Sequence, residues 1–297
     1  MRRPPVRERT VVVTGCSSGI GRAAAHVLRD RGWTVWPTAR KPADLDRLRQ
    51  AGFDPIPLDL ADAVSVAAAA DTVLQRARHG LGGVVNNAGI GVPGFIESLS
   101  RDALRHQFEV NVFGLVDLTN RLIPTFRRQG WGRIVNVSSV LGRLTIPKMG
   151  AYCASKFALE AISDVWRVEL ASAGIGVSIV EPGPIATEFG QNALAQAERW
   201  LVQEDSPYRD LARAEIERQR SYRSRHRTWF ERPPDDVARV IAHALESTRP
   251  HRRYSVTVVA HLGAWAARWW PAAILDWLNI RSLTPPANPA SAGPSPT

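Results

Sequence analysis

Short apolar runs alternate with longer helix-like stretches along most of the chain. The first run, Thr10-Val11-Val12-Val13-Thr14, is β-branched throughout and predicts a buried parallel strand. Comparable runs predict six further strands, at 34–38, 53–58, 83–87, 132–137, 176–181 and 254–259. The helix-like stretches between them are 20–31, 43–51, 63–78, 101–128, 152–173 and 234–247. Strands that alternate with helices favour an α/β fold, a single doubly wound parallel sheet with helices on both faces.

Three segments depart from this alternation. Residues 188–232 are polar and arginine-rich, which predicts a partly helical excursion over the edge of the sheet. Residues 284–297 carry no charge and little to bury, so we expect a disordered tail after one domain over 1–283. The stretch 261–283 contains four tryptophans but is too interrupted to span a membrane. It favours a lid packed over an apolar pocket, and peripheral contact with a membrane surface is the alternative.

The composition is that of a soluble globular protein. Of the 297 residues, 44% are hydrophobic and 22% charged, which excludes a disordered, collagen-like or coiled-coil chain. The only cysteines, Cys16 and Cys153, exclude a disulfide scaffold and fit a reducing compartment. No apolar stretch precedes the first strand, so no secretory signal is visible and we expect a cytoplasmic protein. The histidines lack ligand spacing, and no metal site is expected.

The net charge of +10 raises the question of a nucleic-acid partner. Nine of these charges fall in three separate segments, 1–9, 199–232 and 248–253, with +3 in each. The rest of the chain is close to neutral, so the sequence contains no single basic stripe. A nucleic-acid binder would bind tightly with a steep dependence on salt, and the scattered charge argues against one.

A glycine-rich turn follows the first predicted strand and opens the first predicted helix. Its sequence is Thr14-Gly15-Cys16-Ser17-Ser18-Gly19-Ile20-Gly21. Gly15 allows a tight turn, Gly19 lets the backbone approach a pyrophosphate, and Gly21 lets the helix pack against the sheet. The free amide groups and dipole of the helix N-terminus favour an anion. The turn therefore predicts a dinucleotide site, although a glycine-rich turn without a ligand is the alternative.

The ends of the next strands refine this prediction. An acidic residue after the second strand would bind the ribose hydroxyls of NAD, but Arg40 and Lys41 stand there. Arg40 could pair with a 2′-phosphate, which favours NADP; a solvated arginine in an arginine-rich chain is the alternative. Asp59-Leu60 and Asn86-Asn87-Ala88-Gly89 end the third and fourth strands, where ligands bind in such sheets.

Tyr152 and Lys156 are four residues apart and share one face of the predicted helix. The ammonium group and the helix N-terminus would both lower the pKa of the phenol from about 10 towards neutrality. A tyrosine tuned in this way beside a dinucleotide can donate a proton to a carbonyl that receives a hydride. A surface tyrosine with a chance lysine is the alternative.

These motifs together resemble the short-chain dehydrogenase/reductase family. They occur in the family's order and spacing: Thr14-Gly15-x-x-x-Gly19-Ile20-Gly21, Asn86-Asn87-Ala88-Gly89, Asn111, Ser139, Tyr152-x-x-x-Lys156 and Pro182-Gly183. The likeness is strong over residues 8–187, is weak over 234–259, and implies a Rossmann-type fold. The sequences around the glycine turn and Tyr152 are most similar to the 17β-hydroxysteroid and retinol dehydrogenase branch.

The resemblance also implies roles for single residues. Tyr152 would act as general acid and base, and Ser139, rather than its neighbour Ser138, would hold the substrate oxygen. Lys156 would bind the nicotinamide ribose and depress the pKa of Tyr152, and Asn111 would hold a water that relays protons to Lys156. The other cofactor-binding residues would be Gly15, Ser17, Ser18, Gly19, Ile20, Gly21, Arg40, Asp59 at the adenine, Leu60, Asn87 at the adenine-side ribose, Ala88, Gly89, Pro182, Gly183, and Ile185 and Thr187 at the carboxamide.

We therefore expect an NADP(H)-dependent oxidoreductase, with NAD as the second cofactor candidate, that acts on a small hydrophobic alcohol or ketone. A homo-oligomer is common in the family. Residues 188–232 match nothing in the family, so the resemblance carries no particular substrate. The alternative function is a non-catalytic NADP-binding sensor on the same fold, although a pure sensor has no need of Ser139, Tyr152 and Lys156.

Overall fold

The computed structural model describes residues 2–200, 206–222 and 231–283. The predicted tail at 284–297 lies outside these residues. The described part contains one seven-stranded parallel sheet in the order β3-β2-β1-β4-β5-β6-β7. Its strands are β1 (Thr10–Val13), β2 (Thr34–Ala39), β3 (Ile56–Pro57), β4 (Gly83–Asn86), β5 (Gly132–Val137), β6 (Ile175–Glu181) and β7 (Arg253–Ser255). The predicted doubly wound α/β sheet is confirmed.

Helices cover both faces of the sheet. They are α1 (Gly19–Asp30), α2 (Pro42–Gln50), α3 (Ala63–Arg76), α4 (Arg101–Phe108), α5 (Gly114–Gln129), α6 (Gly150–Glu169), α7 (Phe189–Trp200), α8 (Arg209–Tyr222), α9 (Pro234–Glu246), α10 (Val258–Trp269) and α11 (Ala272–Leu283). Val12 of β1 packs with α3, α5 and α6 on one face, whereas Val11 and Val13 pack with α1, α2 and α9 on the other. This division follows from the alternation of side chains along a strand.

The strand order reverses between β1 and β4. From β1 the chain continues outwards through β2 to β3, then returns to β4 on the other side of β1. In open sheets of this kind, ligands bind in the crevice beyond the carboxyl ends of the strands at the reversal. The glycine turn after β1 and Asn87 after β4 lie at this point.

Several predicted element boundaries differ from the structure, such as the strand predicted at 53–58, which covers only Ile56–Pro57, and two of the differences have a clear local cause. The strand predicted at 254–259 ends at Ser255, because the Thr257 hydroxyl accepts a hydrogen bond from the Ala260 amide and caps α10. The helix predicted over 101–128 divides into α4 and α5, with a π-helical turn at Glu109–Phe113 between them. The threonine cap and the π-helical turn each involve only a few residues, so the hydrophobic periodicity does not reveal them.

The excursion predicted at 188–232 contains α7 and α8. Their buried residues Leu194, Ala197, Ala212 and Ile216 pack against Phe95 from the loop after β4. The Phe95 ring stacks on Tyr208 with the ring centres 4.0 Å apart. The segment therefore covers the end of the sheet rather than its edge alone.

The prediction that the tryptophans of 261–283 pack over an apolar pocket is wrong. Trp265, Trp269, Trp270 and Trp277 are all exposed. The residues that α10 buries are small, Ala260, Gly263 and Ala266. Among the described residues, no helix combines the length and apolar character that crossing a bilayer requires.

Candidate active site

The turn between β1 and α1 needs glycine at three positions. Gly15 and Gly19 have φ angles of 71° and 56°, in the left-handed region that favours glycine. A Cβ on Gly21 would lie 2.2 Å from the Gly15 carbonyl oxygen, so only glycine lets α1 begin this close to the turn. Ser18 precedes α1 without capping it through its side chain. The first amide groups of α1 are therefore suited to an anion such as a pyrophosphate.

Thr14 and Asn87 attach this turn to the end of β4. The Thr14 hydroxyl accepts hydrogen bonds from the amides of Asn87 and Ala88, at 3.0 and 2.9 Å. The Asn87 side chain donates to the carbonyl oxygens of Thr14 and Gly15, at 2.9 and 3.1 Å. Asn87 thus supports the turn itself, a role additional to the contact with the adenine-side ribose that the family resemblance implies. This role of Thr14 was not predicted from the sequence, although its position immediately before the glycine motif could have indicated it.

Arg40 and Asp59 lie together beyond the carboxyl ends of β2 and β3. The distance from Arg40 Nη1 to Asp59 Oδ2 is 3.8 Å, and more than half of the Arg40 side chain is exposed. An exposed pair at this distance is weak, so the guanidinium can turn towards a phosphate at little cost. The neighbouring Leu60 packs closely on α5, since a Cβ on Gly114 would lie 1.9 Å from its carbonyl oxygen.

Asn111 and Gln107 hold the loop after β4 in place through hydrogen bonds to its backbone. The Asn111 carboxamide accepts from the Ile90 amide at 2.9 Å and donates to the Ile90 carbonyl and the Ser155 hydroxyl, both at 3.0 Å. Gln107 accepts from the Val92 amide at 2.7 Å. Asn111 lies in the π-helical turn, a feature often found at functional sites. The roles of Gln107 and Ser155 were not predicted from the sequence, although Ser155 lies between Tyr152 and Lys156 in the motif.

Tyr152 and Lys156 are buried neighbours on α6. The Lys156 Nζ atom lies 5.7 Å from the centre of the Tyr152 ring and donates to the Val137 carbonyl at 2.9 Å. The hydroxyl groups of Ser139 and Tyr152 are hydrogen-bonded to each other. Both Asn111 and Lys156 also lie close to Gly89. A Cβ atom on Gly89 would be 3.3 Å from Asn111 Oδ1 and 3.6 Å from Lys156 Nζ. The four predicted catalytic side chains therefore converge near the strand-order reversal.

The expectation that Tyr152 has a lowered pKa is wrong for the protein alone. Burial raises the pKa of the phenol to about 12, and the hydrogen bond with Ser139 offsets only part of this effect. Burial also lowers the pKa of Lys156 to about 8, with Glu160 acting in the opposite direction. At neutral pH the phenol is therefore protonated and able to donate a proton, while Lys156 remains mostly cationic.

The loop after β6 closes the other side of the site. A Cβ on Gly183 would lie 2.1 Å from the Thr257 hydroxyl, which explains the glycine in the Pro182-Gly183 pair. Ile185 forms a bridge with Arg232, and the Thr187 side chain lies against Gly19 of the glycine turn. Phe189 begins α7, and its ring centre is 5.5 Å from that of Tyr152. Phe189 forms an apolar wall that sequence reasoning does not identify.

A buried charge network supports the two loops that frame Tyr152. Arg253 Nε lies 3.1 Å from Glu160 Oε2 and 3.2 Å from Glu181 Oε1. Arg143, which follows the Ser139 turn, lies 3.2 Å from the same Glu181 oxygen. Burial raises the pKa of Glu160, an effect that Ser138 and Arg253 oppose. The network thus joins the Ser139 turn, the end of β6 and α6 through one strand, β7.

Arg253→Leu is expected to lower the free energy of unfolding by about 3–5 kcal/mol, because two buried carboxylates lose their shared cation. Urea unfolding of both proteins measures the change. Glu181 keeps Arg143 as a partner, whereas Glu160 loses its cation. The loss should therefore shrink as the pH falls, since protonation neutralises Glu160.

Arg121→Leu is the matched control, since Arg121 pairs with Asp117 at 2.9 Å on the exposed face of α5. This substitution should change the free energy of unfolding by less than about 1 kcal/mol. Equal losses in the two variants would show that the buried network contributes no more than a surface pair.

Dehydrogenases that bind dinucleotides share a parallel sheet with a glycine-rich turn at the strand-order reversal. This chain has that arrangement, with a buried phenol beside it, and so falls into the class of nicotinamide-dependent oxidoreductases. Residues 9–198 match the family described as short chain dehydrogenase. The chain belongs to this family and acts on an alcohol or its carbonyl.

Two relatives extend this match beyond the family region. The chain is 39% identical over 271 residues to the uncharacterized oxidoreductase YbbO of Escherichia coli, covering 91% of this chain and 94% of the relative. It is 35% identical over 293 residues to human retinol dehydrogenase 5, covering 95% and 91%. The expected membership of the short-chain dehydrogenase/reductase family is confirmed, and the likeness to retinol dehydrogenase 5 agrees with one part of the expected 17β-hydroxysteroid and retinol dehydrogenase branch.

Solved structures have the same fold. A short chain dehydrogenase/reductase from Burkholderia phymatum, in complex with NAD, has a TM-score of 0.71 and 27% identity, covering 96% of this chain and 99% of its own. A short chain dehydrogenase from Burkholderia cenocepacia, in complex with NADP, has a TM-score of 0.68 and 25% identity, covering 95% and 100%.

Proposed function

We propose that this protein interconverts a hydrophobic secondary or primary alcohol and its carbonyl compound with NADP(H). The observation that carries the proposal is the hydrogen-bonded Ser139–Tyr152 pair beside Lys156, at the point where the strand order reverses. A protonated phenol, a hydroxyl that holds it and a nearby cation are the groups that carbonyl reduction requires.

The residues present fit a dinucleotide. The uncapped N-terminus of α1, with Gly15, Gly19 and Gly21, would hold the pyrophosphate. Arg40 would bind the 2′-phosphate, and Ile185 and Thr187 would hold the carboxamide. The remaining contacts would come from Ser17, Ser18, Ile20, Asp59, Leu60, Asn87, Ala88, Gly89, Pro182 and Gly183. The bound nicotinamide supplies or accepts the hydride.

Reduction requires one hydride and one proton. Tyr152 would donate the phenol proton to the carbonyl oxygen as the carbonyl carbon gains the hydride, so C=O becomes CH–OH. Ser139 holds that oxygen next to Tyr152. Lys156 stabilises the phenolate that forms, and a water held near Asn111 would return a proton through Lys156. Oxidation follows the same steps in reverse.

A hydrophobic substrate is supported by the wall of the site. Phe189 faces Tyr152, and its ring also approaches Gly91, beside which the Met149 methyl group lies. These apolar side chains suit the body of a steroid-, retinoid- or lipid-like molecule better than that of a sugar. The similarity to human retinol dehydrogenase 5 points in the same direction.

The test is NADPH oxidation with a panel of apolar and polar ketones and aldehydes, and NADP reduction with the matching alcohols. We expect turnover that is highest with apolar compounds. NADPH binding without turnover on any member of the panel would instead support the non-catalytic sensor.

Arg40→Ala is expected to lower kcat/KM for NADPH by about 10- to 100-fold, because a charge-assisted contact with the 2′-phosphate is lost. The value for NADH should change by less than about threefold, since NADH has no such phosphate. Steady-state kinetics with both coenzymes measure the ratio.

Arg47→Ala is the control, because Arg47 is exposed on α2 and pairs with Asp44 of the same helix. It should leave the coenzyme preference unchanged. An unchanged preference in Arg40→Ala would show that Arg40 is not the partner of the 2′-phosphate.

A further inference from the structure

Helix α10 has an inverted distribution of apolar side chains. Its buried residues, Ala260, Gly263 and Ala266, are small. Its large apolar residues face outwards, with Leu262, Trp265 and Trp269 exposed by 61%, 55% and 69%. A surface helix of a soluble protein normally buries its large apolar side chains and exposes polar ones. The outward face of α10 therefore lacks the apolar partner that its composition calls for.

Helix α11 continues this exposed face. None of its residues is buried, although Ile274, Trp277, Leu278 and Ile280 are large and apolar. We call the exposed side chains of α10 and α11 the C-terminal apolar surface: Leu262, Trp265, Trp269, Trp270, Ile274, Trp277, Leu278 and Ile280. The centres of the Trp265 and Trp270 rings lie 6.2 Å apart, and exposed large apolar side chains grouped in this way mark a site of contact with another molecule or with a membrane.

The charges on this surface indicate what it contacts. Arg268 lies 6.0 Å from the centre of the Trp269 ring, and Arg281 lies 3.8 Å from that of Trp277. Asp276 is the only acidic residue in 258–283, and the segment 248–253 shortly before it carries +3. Tryptophan and arginine side by side suit the headgroup region of a bilayer, and a cationic protein is attracted to anionic lipid. A second copy would instead bring like charges together.

We infer that the C-terminal apolar surface docks on the headgroup region of an anionic lipid bilayer. Tryptophan and leucine side chains enter the interface, and Arg268 and Arg281 contact lipid phosphates. The docking uses no residue of the proposed catalytic group and does not depend on the proposed reaction.

The docked surface adjoins the substrate side of the site. On the inner face of α10, Gly263 is so close to Val140 and Leu144, just after Ser139, that a Cβ there would lie 2.7 and 2.8 Å from their side chains. In α11, Asn279 donates to the Thr145 carbonyl at 3.1 Å. Leu283 packs on the cluster around Phe95. Docking would therefore bring the segment after Ser139 and the loop after β4 close to the lipid, where a hydrophobic substrate is concentrated.

The experiment is co-sedimentation of the full chain with two kinds of vesicle, phosphatidylcholine alone and phosphatidylcholine mixed with phosphatidylglycerol. We expect binding to the mixed vesicles that weakens as salt is added, and little binding to phosphatidylcholine alone. The double variant Trp269→Ser/Trp277→Ser should bind the mixed vesicles at least about 100-fold more weakly, at tenfold or more for each tryptophan.

The matched control is Val165→Ser/Val168→Ser, which removes two exposed apolar side chains from α6. It should bind vesicles as the wild type does, and circular dichroism should show both double variants folded. Equal loss in the control, or no binding of the wild type to either vesicle, overturns the inference. Sedimentation equilibrium addresses the second occupant: a wild-type dimer that the tryptophan variant converts to a monomer, without vesicle binding, would assign the surface to a second copy.

Discussion

Tyr152→Phe is expected to lower kcat for carbonyl reduction by about 100- to 10,000-fold, the usual contribution of general acid–base catalysis. The substitution removes one hydroxyl group and leaves the ring against Phe189. Because burial raises the pKa of this phenol to about 12, the group is protonated at neutral pH, and phenylalanine has no proton to replace it. Single-turnover reduction at saturating NADPH measures the chemical step, and the Kd for NADPH should stay within about threefold.

The neighbouring serines provide the control for this prediction. Ser139 bonds Tyr152, whereas Ser138 faces Glu160, which it stabilises in the charged form. Ser139→Ala should therefore lower kcat strongly, and Ser138→Ala by less than about tenfold. If Tyr152→Phe keeps a kcat close to that of the wild type, Tyr152 has no part in the proton transfer.

Gly21→Ala is expected to weaken NADPH binding by about 10- to 100-fold. The added Cβ would lie 2.2 Å from the Gly15 carbonyl oxygen and 2.4 Å from Asn87 Nδ2, so the turn and its support must move. Overpacking of this kind costs about 1–3 kcal/mol. If the whole cost appears in the binding free energy, it corresponds to the expected change in the Kd for NADPH. Titration calorimetry measures the Kd, and thermal unfolding verifies that the variant is folded.

Two further glycines make this a graded test. Gly19→Ala meets only the Thr187 side chain, at 3.1 Å, but adds strain because its φ is 56°. Gly190→Ala meets nothing within 4 Å and should bind NADPH as the wild type does. The expected order of affinity is Gly190→Ala, then Gly19→Ala, then Gly21→Ala. Equal Kd values in all three would exclude the glycine turn as the dinucleotide site.

The strands and helices of the sheet were predictable because they depend on local patterns. The β-branched run at 10–14 is buried on both faces as β1, and the spacing of Tyr152 and Lys156 alone places them on one side of α6. The boundaries near Ser255 and Asn111 were not predictable in this way. A threonine cap and a π-helical turn change the backbone over a few residues without changing the hydrophobic period.

The candidate site also has some features that the sequence predicts and others that depend on the tertiary structure. The glycine turn could be identified because backbone conformation is encoded where it occurs. The partners of Asn87 could not, since they lie 72 and 73 residues away along the chain. Phe189 and the network around Arg253 likewise depend on elements brought together by the sheet.

The sequence by itself determined the order of strands and helices, the turn that suits a pyrophosphate and the pairing of a phenol with an ammonium group one helical turn apart. Each of these follows from residues that are close along the chain. Only the tertiary structure decided that Tyr152 has a raised pKa and that the C-terminal tryptophans face outwards. Burial is the reason: exposure and desolvation depend on packing between distant segments, which local patterns do not specify.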